Sequence, residues 1–350
     1  MRQLDFIVFG VPRSGTSALT RALNRHPDII CGIERFGPNA NPRSIVYPES
    51  FRDLRQPTSV LSFERNLHLL AQKGDAVPFA GDKNPSYHHN LAAWNQLKPA
   101  VRKIAIYRSP WQFLDSWRRR ALSDNFPNWA RERFGPFALW ELFAFLRNML
   151  DQGDDTLLVP YDSCFFENPG IMRHVTAHIG ADPERFDQDA FLQKLFAQSH
   201  RSRERPELPE DEVELLKAAD VDKIDRILLL EDAFTFDSAR DEIEEYLNSV
   251  SPRLAATTED WINTNRSPRL RRFITRWIAR HPIMAQVPNE ASIPPTFQRC
   301  DTLSRKPDVR LVHHLREIAG KRKTLSKLLL WYVLPRSAEL PLRKTGNQSK

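Results

Sequence analysis

Residues 8–17, VFGVPRSGTS, set Gly10 and Gly15 in a turn rich in hydroxyl groups. The spacing is that of a phosphate loop, G-x-x-x-x-G-K-[ST]. Thr16 stands where that pattern has lysine, and a basic residue, Arg13, has moved inside the loop. Glycines in a strand-to-helix turn free backbone N–H groups to form an anion nest. The helix that follows adds its positive N-terminal end. The hydroxyls of Ser14, Thr16 and Ser17 and the Arg13 guanidinium add donors and charge. The loop therefore reads as a seat for a phosphate-like group rather than a plain tight turn. Ordinary nucleoside triphosphate hydrolysis does not suit it, because the lysine for the β/γ-phosphates is missing. The run KIAIY also ends at Arg108, where a Walker B strand ends in a metal-binding aspartate. A nucleotide without a γ-phosphate and without essential magnesium matches these residues better.

The elements that must position this loop alternate along the chain. LDFIVFG (4–10) is an apolar run ending in glycine and reads as a buried strand, followed by a helix over 17–26. DIICG (28–32) reads as a short strand, 37–60 as a surface excursion and 60–74 as an amphipathic helix. Residues 78–97 read as a strand, a turn at Asn84-Pro85 and a helix. Residues 101–122 read as a strand to Tyr107 and a helix with Pro110 in its first turn. Helices over 137–150 and 168–180 flank a strand over 156–162. Strands alternating with helices predict an α/β fold with a central parallel sheet and right-handed crossovers. In such sheets the ligand sits beyond the carboxyl ends of the strands. Gly10–Ser17, Asp82–Asn84, Arg108 and Tyr161–Asp162 all follow strand ends and are expected at one edge. Residues 210–250 read as charged helices and 251–350 as helix fragments broken by prolines.

Several of these stretches resemble one family, the sulfotransferases that use 3′-phosphoadenosine 5′-phosphosulfate (PAPS). VPRSGTSAL resembles their 5′-phosphosulfate loop, and YRSPWQFLDSW resembles their 3′-phosphate motif, with Arg108 and, eight residues on, Ser116. HPDIICGIERF resembles the stretch carrying the family's acidic base, GDKNPSYH a segment of its Golgi-type and bacterial members, and VPYDSCFFENP a further segment. The order and spacing of all five agree over about residues 4–200. The resemblance implies a three-layer P-loop-type fold and sulfuryl transfer from PAPS to a hydroxyl or amine, with no metal. It implies that Arg13, Ser14, Gly15, Thr16 and Ser17 hold the 5′-phosphosulfate, that Arg108 and Ser116 grip the 3′-phosphate, and that Tyr161 lies on the adenine side. Glu34 is implied as the base, with Lys83 and Arg13 on the transferring group. Asp82, His88 and His89 are the rivals of Glu34, which otherwise reads as a surface carboxylate paired with Arg35 or another neighbour. Arginine replaces the lysine common in cytosolic members at position 13, and Asp162-Ser163 replaces the usual Glu-Asp pair. Arg201, Arg203 and Arg205 are candidates to close over the cofactor. The alternative reading is a P-loop nucleotide or small-molecule kinase using Mg-ATP.

His174 and His178, at i and i+4, lack a third ligand at a useful spacing, so no metal is expected there. Trp140, Phe143 and Phe145 read as core. Three sparse cysteines and no stretch of about 18 apolar residues point to a reduced, cytoplasmic protein without a spanning helix, and no secretory leader is expected. The net charge of +7 is unevenly distributed. Residues 266–350 hold 19 Lys and Arg against 5 Asp and Glu, a net of +14; residues 1–265 hold 32 against 39, a net of −7. The family resemblance does not extend beyond about residue 220, which implies a PAPS-binding sulfotransferase domain (1–220) and a divergent, mostly helical basic extension (221–350). Within the extension, KRKTLSKLLLWYVLPR (321–336) reads equally as a membrane-interface segment, with peripheral contact there, or as a helix docking on the body or on a second subunit of a homo-oligomer. The acceptor implied is a small molecule, a carbohydrate or a lipid-linked glycan; nucleic acid is the weaker partner class, and a basic tail also reads as a solubilising end.

Overall fold

The structure, a computed structural model, describes residues 2–53, 60–121, 136–168, 170–186 and 205–264. Strand β1 (Phe6–Gly10) is buried along its whole length. Ile7 and Phe9 enter one core and Phe6 and Val8 the other. A central parallel strand covered on both faces reads as one continuous apolar run, which is how FIVFG reads.

Strands β2 (Ile29–Ile33), β3 (Phe79–Lys83), β4 (Arg102–Tyr107) and β5 (Thr156–Pro160) join β1 in the order β2-β3-β1-β4-β5, all parallel. A two-residue strand, β6 (Phe234–Thr235), adds antiparallel to β5. The sheet is thus mostly rather than wholly parallel. A two-residue edge strand carries too little apolar pattern to be read from sequence.

The described α-helices of eight or more residues are, in chain order, α1 (Thr16–Leu23), α2 (Val60–Lys73), α3 (Pro110–Ala121), α4 (Pro136–Gln152), α5 (Ile171–Ile179), α6 (Glu210–Ala218), α7 (Val221–Leu228) and α8 (Arg240–Thr264). On one face of the sheet, Leu19 and Leu23 of α1 pack with Met172 and Val175 of α5. On the other, Phe113 and Trp117 of α3, Leu139 and Phe145 of α4, and Ile224 and Tyr246 from α7 and α8 share a larger core. The result is the expected three-layer α/β arrangement. Trp140, Phe143 and Phe145 are core residues. Residues 221–250 bury apolar side chains in the same core as α4, and all described residues lie within one compact unit, Met1–Pro288.

Two local readings need correction. The helix expected after Pro85 is a 3₁₀ turn, Pro85–Asn90, followed by one α-turn, Leu91–Trp94. Tyr161 and Asp162 do not end a strand but open a helical turn that continues through Ser163–Glu167. Cys31 and Cys164 are buried free thiols, raised well above their ordinary pKa by burial. Among the described residues no helix is long and apolar enough to cross a membrane. The segment 321–336, Arg201 and Arg203 lie outside the described residues.

Gly81 in β3 is required by packing, since a Cβ there would stand 2.5 Å from the Phe6 ring. Gly81→Ala should cost about 1–3 kcal/mol by overpacking. Urea unfolding checks this, and an unchanged midpoint would contradict the β1–β3 packing described.

Candidate active site

Parallel pairing brings the carboxyl ends of β1 to β5 to one edge, so the residues that follow them converge. The centre of the edge is Lys83, the last residue of β3. Its ammonium donates to Glu34 Oε1 at 2.7 Å and to Ser17 Oγ at 3.1 Å. The Lys83 side chain is 1% exposed and that of Glu34 is 48% exposed. A cation sealed from water is thus paired with a carboxylate that keeps one side open to solvent.

Glu34 has φ 52°, a left-handed conformation rare for residues with a side chain. Its surroundings fix it there. Its N–H donates to the Lys83 carbonyl at 2.7 Å, extending the β2–β3 ladder by one residue. The next two N–H groups, of Arg35 and Phe36, donate to the Asp82 carboxyl at 3.1 and 3.3 Å. Tyr87 Oη also donates to Asp82, at 2.5 Å. Gly32 makes room, because a Cβ there would lie 2.3 Å from Asp82 Oδ1. Asp82, weighed as a rival base, is fully buried beneath the Glu34 turn and holds its backbone. Arg35, the expected alternative partner of Glu34, turns away and donates to the carbonyls of Phe51 and Asp53.

The glycine loop is braced from α3. Arg13, also left-handed at φ 78°, donates from Nε to Ser116 Oγ at 3.0 Å. The Trp117 indole donates to the Pro12 carbonyl at 2.5 Å. Gly15 caps α1 at φ 105° and gives its first turn no side-chain cap. The leading N–H groups of a helix have no partner within the helix, so those of α1 face the loop. A Cβ on Gly15 would come within 2.2 Å of the Tyr161 ring, which therefore lies flush on the backbone. The Arg108 guanidinium stacks on Tyr161, 4.6 Å from the ring centroid. Two buried polar atoms of this edge, Ser14 Oγ and Arg108 Nε, make no hydrogen bond among the described residues. Buried donors of this kind are costly unless a ligand or water answers them.

The predicted residues Arg13, Ser14, Gly15, Thr16, Ser17, Glu34, Lys83, Arg108, Ser116 and Tyr161 all lie at this edge. Sequence reasoning missed the support from α7. Asp225 accepts from Tyr107 Oη at 2.8 Å and Ser109 Oγ at 2.6 Å, bracketing Arg108. Asp222 accepts from Trp111 Nε1 at 3.0 Å and from Arg205, whose guanidinium also stacks on Trp111. Burial raises Asp225 to about 6 against the pull of its two hydroxyl donors. No local pattern marks these aspartates, because their partners Tyr107, Ser109 and Trp111 lie more than 100 residues earlier. His88 and His89, the other rival bases, are engaged with Glu141 of α4. Burial alone would raise Glu141, but the two imidazoles hold it well below the usual carboxylate range. His174 pairs with Asp232 at the surface.

A mostly parallel sheet with a glycine loop between β1 and α1, and cationic side chains at the ends of β3 and β4, is a P-loop-type fold. Residues 5–185 match the model of the Sulfotransferase family, just over half of the chain, and the chain belongs to that family of sulfuryl-transferring enzymes. Among solved structures it is similar to a sulfotransferase from Alicyclobacillus acidocaldarius, with 15% identity, a TM-score of 0.41, and coverage of 65% of this chain and 96% of that one. It is also similar to the sulfotransferase domain of the Synechococcus PCC 7002 olefin synthase, at 17% identity and TM-score 0.34, covering 62% and 94%. Sulfotransferase STF9 from Mycobacterium avium gives 16% identity and TM-score 0.36, covering 71% and 77%. No curated protein matches.

Burial raises Asp82 to about 6, although Tyr87, Arg35 and Phe36 donate to it and Lys83 is near. An unfolded aspartate titrates at about 3.9. Between about pH 4 and 6 the folded chain therefore holds a proton that the unfolded chain has lost, and stability falls as pH rises, by up to about 1.4 kcal/mol per pH unit. Asp82→Asn should flatten this slope, leaving the Asp225 share, and should lower stability at pH 7 by about 1–3 kcal/mol through mismatched donors. Denaturation across pH 4–7 measures both, and an unchanged slope would contradict the buried carboxyl.

Proposed function

We propose that this protein transfers the sulfuryl group of PAPS to a hydroxyl or amine by in-line displacement, with Glu34 as the base. The observation that carries the donor assignment is a pair of buried polar atoms with no hydrogen-bond partner among the described residues, Ser14 Oγ and Arg108 Nε, on either side of Tyr161. A nucleotide with a 5′-phosphosulfate and a 3′-phosphate would answer both. Arg13, Ser14, Gly15, Thr16 and Ser17 would hold the 5′ end, Arg108 and Ser116 the 3′-phosphate, and Tyr161 would offer a ring beside them. When bound, PAPS supplies an activated sulfuryl group and a stabilised bisphosphate leaving group.

The chain's own residues supply the rest. Lys83 and Arg13 place positive charge where negative charge develops, and Lys83 is already dry, which strengthens its effect. Glu34 takes the acceptor's proton at its carboxylate, whose open side admits the acceptor. Asp82 holds the Glu34 backbone, and Asp225 holds the Arg108 turn. No residue of the set needs a metal. Residues 1–220 would carry the donor machinery. The divergent segments 37–60, 120–135 and 200–350 would shape the acceptor site for a small molecule, a carbohydrate or a lipid-linked glycan, in a cytoplasmic protein.

Transfer of labelled sulfate from PAPS to a panel of hydroxyl and amine acceptors tests the reading. Glu34→Gln should lower kcat by about 10²–10⁴-fold, with affinity for 3′-phosphoadenosine 5′-phosphate little changed. Arg108→Ala should weaken that affinity by about 1.5–3 kcal/mol and abolish discrimination for the 3′-phosphate. Full activity in Glu34→Gln would remove it as the base.

A further inference from the structure

We propose that His88, His89 and Glu141 form a site for a divalent transition metal of the zinc type, fastening the turn after β3 to α4. The site is independent of the donor reading and shares no residue with it. His88 and His89 lie on the 3₁₀ turn Pro85–Asn90, and Glu141 lies in the second turn of α4. One ligand atom from each falls within 4.8 Å of the others. Glu141 Oε2 is 3.5 Å from His88 Nε2 and 3.1 Å from His89 Nε2. Zinc binds imidazole nitrogen and carboxylate oxygen at about 2.0–2.2 Å, so the edges of its tetrahedron are roughly 3.3–3.6 Å. The two Glu–His separations are close to those edges.

The electrostatics point the same way. The Glu141 side chain is 8% exposed and His88 is fully buried. The two imidazole rings lie 3.9 Å apart at 43°, a separation at which two imidazolium charges would repel. A divalent cation at the meeting point of the three side chains would answer the buried carboxylate and use all three groups as ligands. Phe145 sets its edge against His88 at 5.6 Å, holding the ring in place and keeping that side apolar. Two histidines and one glutamate also leave a fourth position for water or a further ligand.

The pattern was not visible in the sequence. Adjacent histidines are not a helical i, i+4 pair, and the glutamate stands more than 50 residues away. The turn begins two residues after Lys83, so a metal here would also steady the end of β3.

Cobalt(II) titration of the full-length, chelator-dialysed protein tests the site. One equivalent per chain should give the visible absorption of a four-coordinate ion, displaced by one equivalent of zinc. Glu141→Gln and His89→Ala should each weaken binding by more than about 100-fold, beyond the range of outer-shell changes. His89→Cys should keep the metal and add the near-ultraviolet thiolate-to-cobalt band, a readout that a merely misfolded variant would not produce. Absence of saturable binding to the wild-type chain would overturn the proposal. So would cobalt binding that is equally strong in Glu141→Gln and gives no thiolate band in His89→Cys.

Discussion

The buried Lys83 ammonium is the constraint around which the edge of this sheet is arranged. A lysine removed from water costs several kcal/mol unless it is paired and hydrogen-bonded. Here the pairing comes from two other elements: Glu34 after β2 and Ser17 in the first turn of α1. The interaction therefore ties together the ends of two strands and the start of the helix that follows the glycine loop. It also leaves a carboxylate with one face toward solvent beside a cation that has none, an asymmetry suited to moving a proton next to a developing negative charge.

The rest of the edge keeps that pair in register. Glu34 reaches Lys83 from a left-handed backbone, a conformation that persists only when its neighbours over-determine it. The Asp82 carboxyl does so from below by catching the two N–H groups that follow, and Gly32 gives it space. On the other side of β1, Tyr161 lies between the Gly15 backbone and the Arg108 guanidinium, so loop, ring and cation are set by one another. Asp225 fixes the residues on both sides of Arg108. Most of these contacts join a residue just past one strand to a residue just past another, and a parallel sheet brings such residues together.

That topology explains how much was legible in the sequence. Gly10–Ser17, Lys83, Arg108 and Tyr161 each follow an apolar run, and parallel pairing sends all such positions to the same edge. Glu34 was legible for the same reason, but its partner was not. Arg35 is adjacent in sequence, yet the backbone turn sends its side chain toward Phe51 and Asp53. Asp225, Asp222 and Glu141 carried no local signal, because their partners Tyr107, Trp111 and His89 come from elements 50 to more than 100 residues away. The sixth strand escaped notice because two residues make no pattern. Tyr161 was read as a strand residue, and the early turn into a helix is what lays its ring on Gly15.

The proposed donor site calls for a nucleotide carrying a 3′-phosphate and no γ-phosphate. Calorimetric titration with 3′-phosphoadenosine 5′-phosphate, ADP and ATP, each with and without Mg²⁺, tests it most directly. One-to-one binding of the 3′-phosphorylated nucleotide without Mg²⁺ is expected, tighter than ADP by at least about tenfold, since a lost charged hydrogen bond costs roughly 1.5–3 kcal/mol. Tighter binding of Mg-ATP, with no gain from the 3′-phosphate, would contradict it.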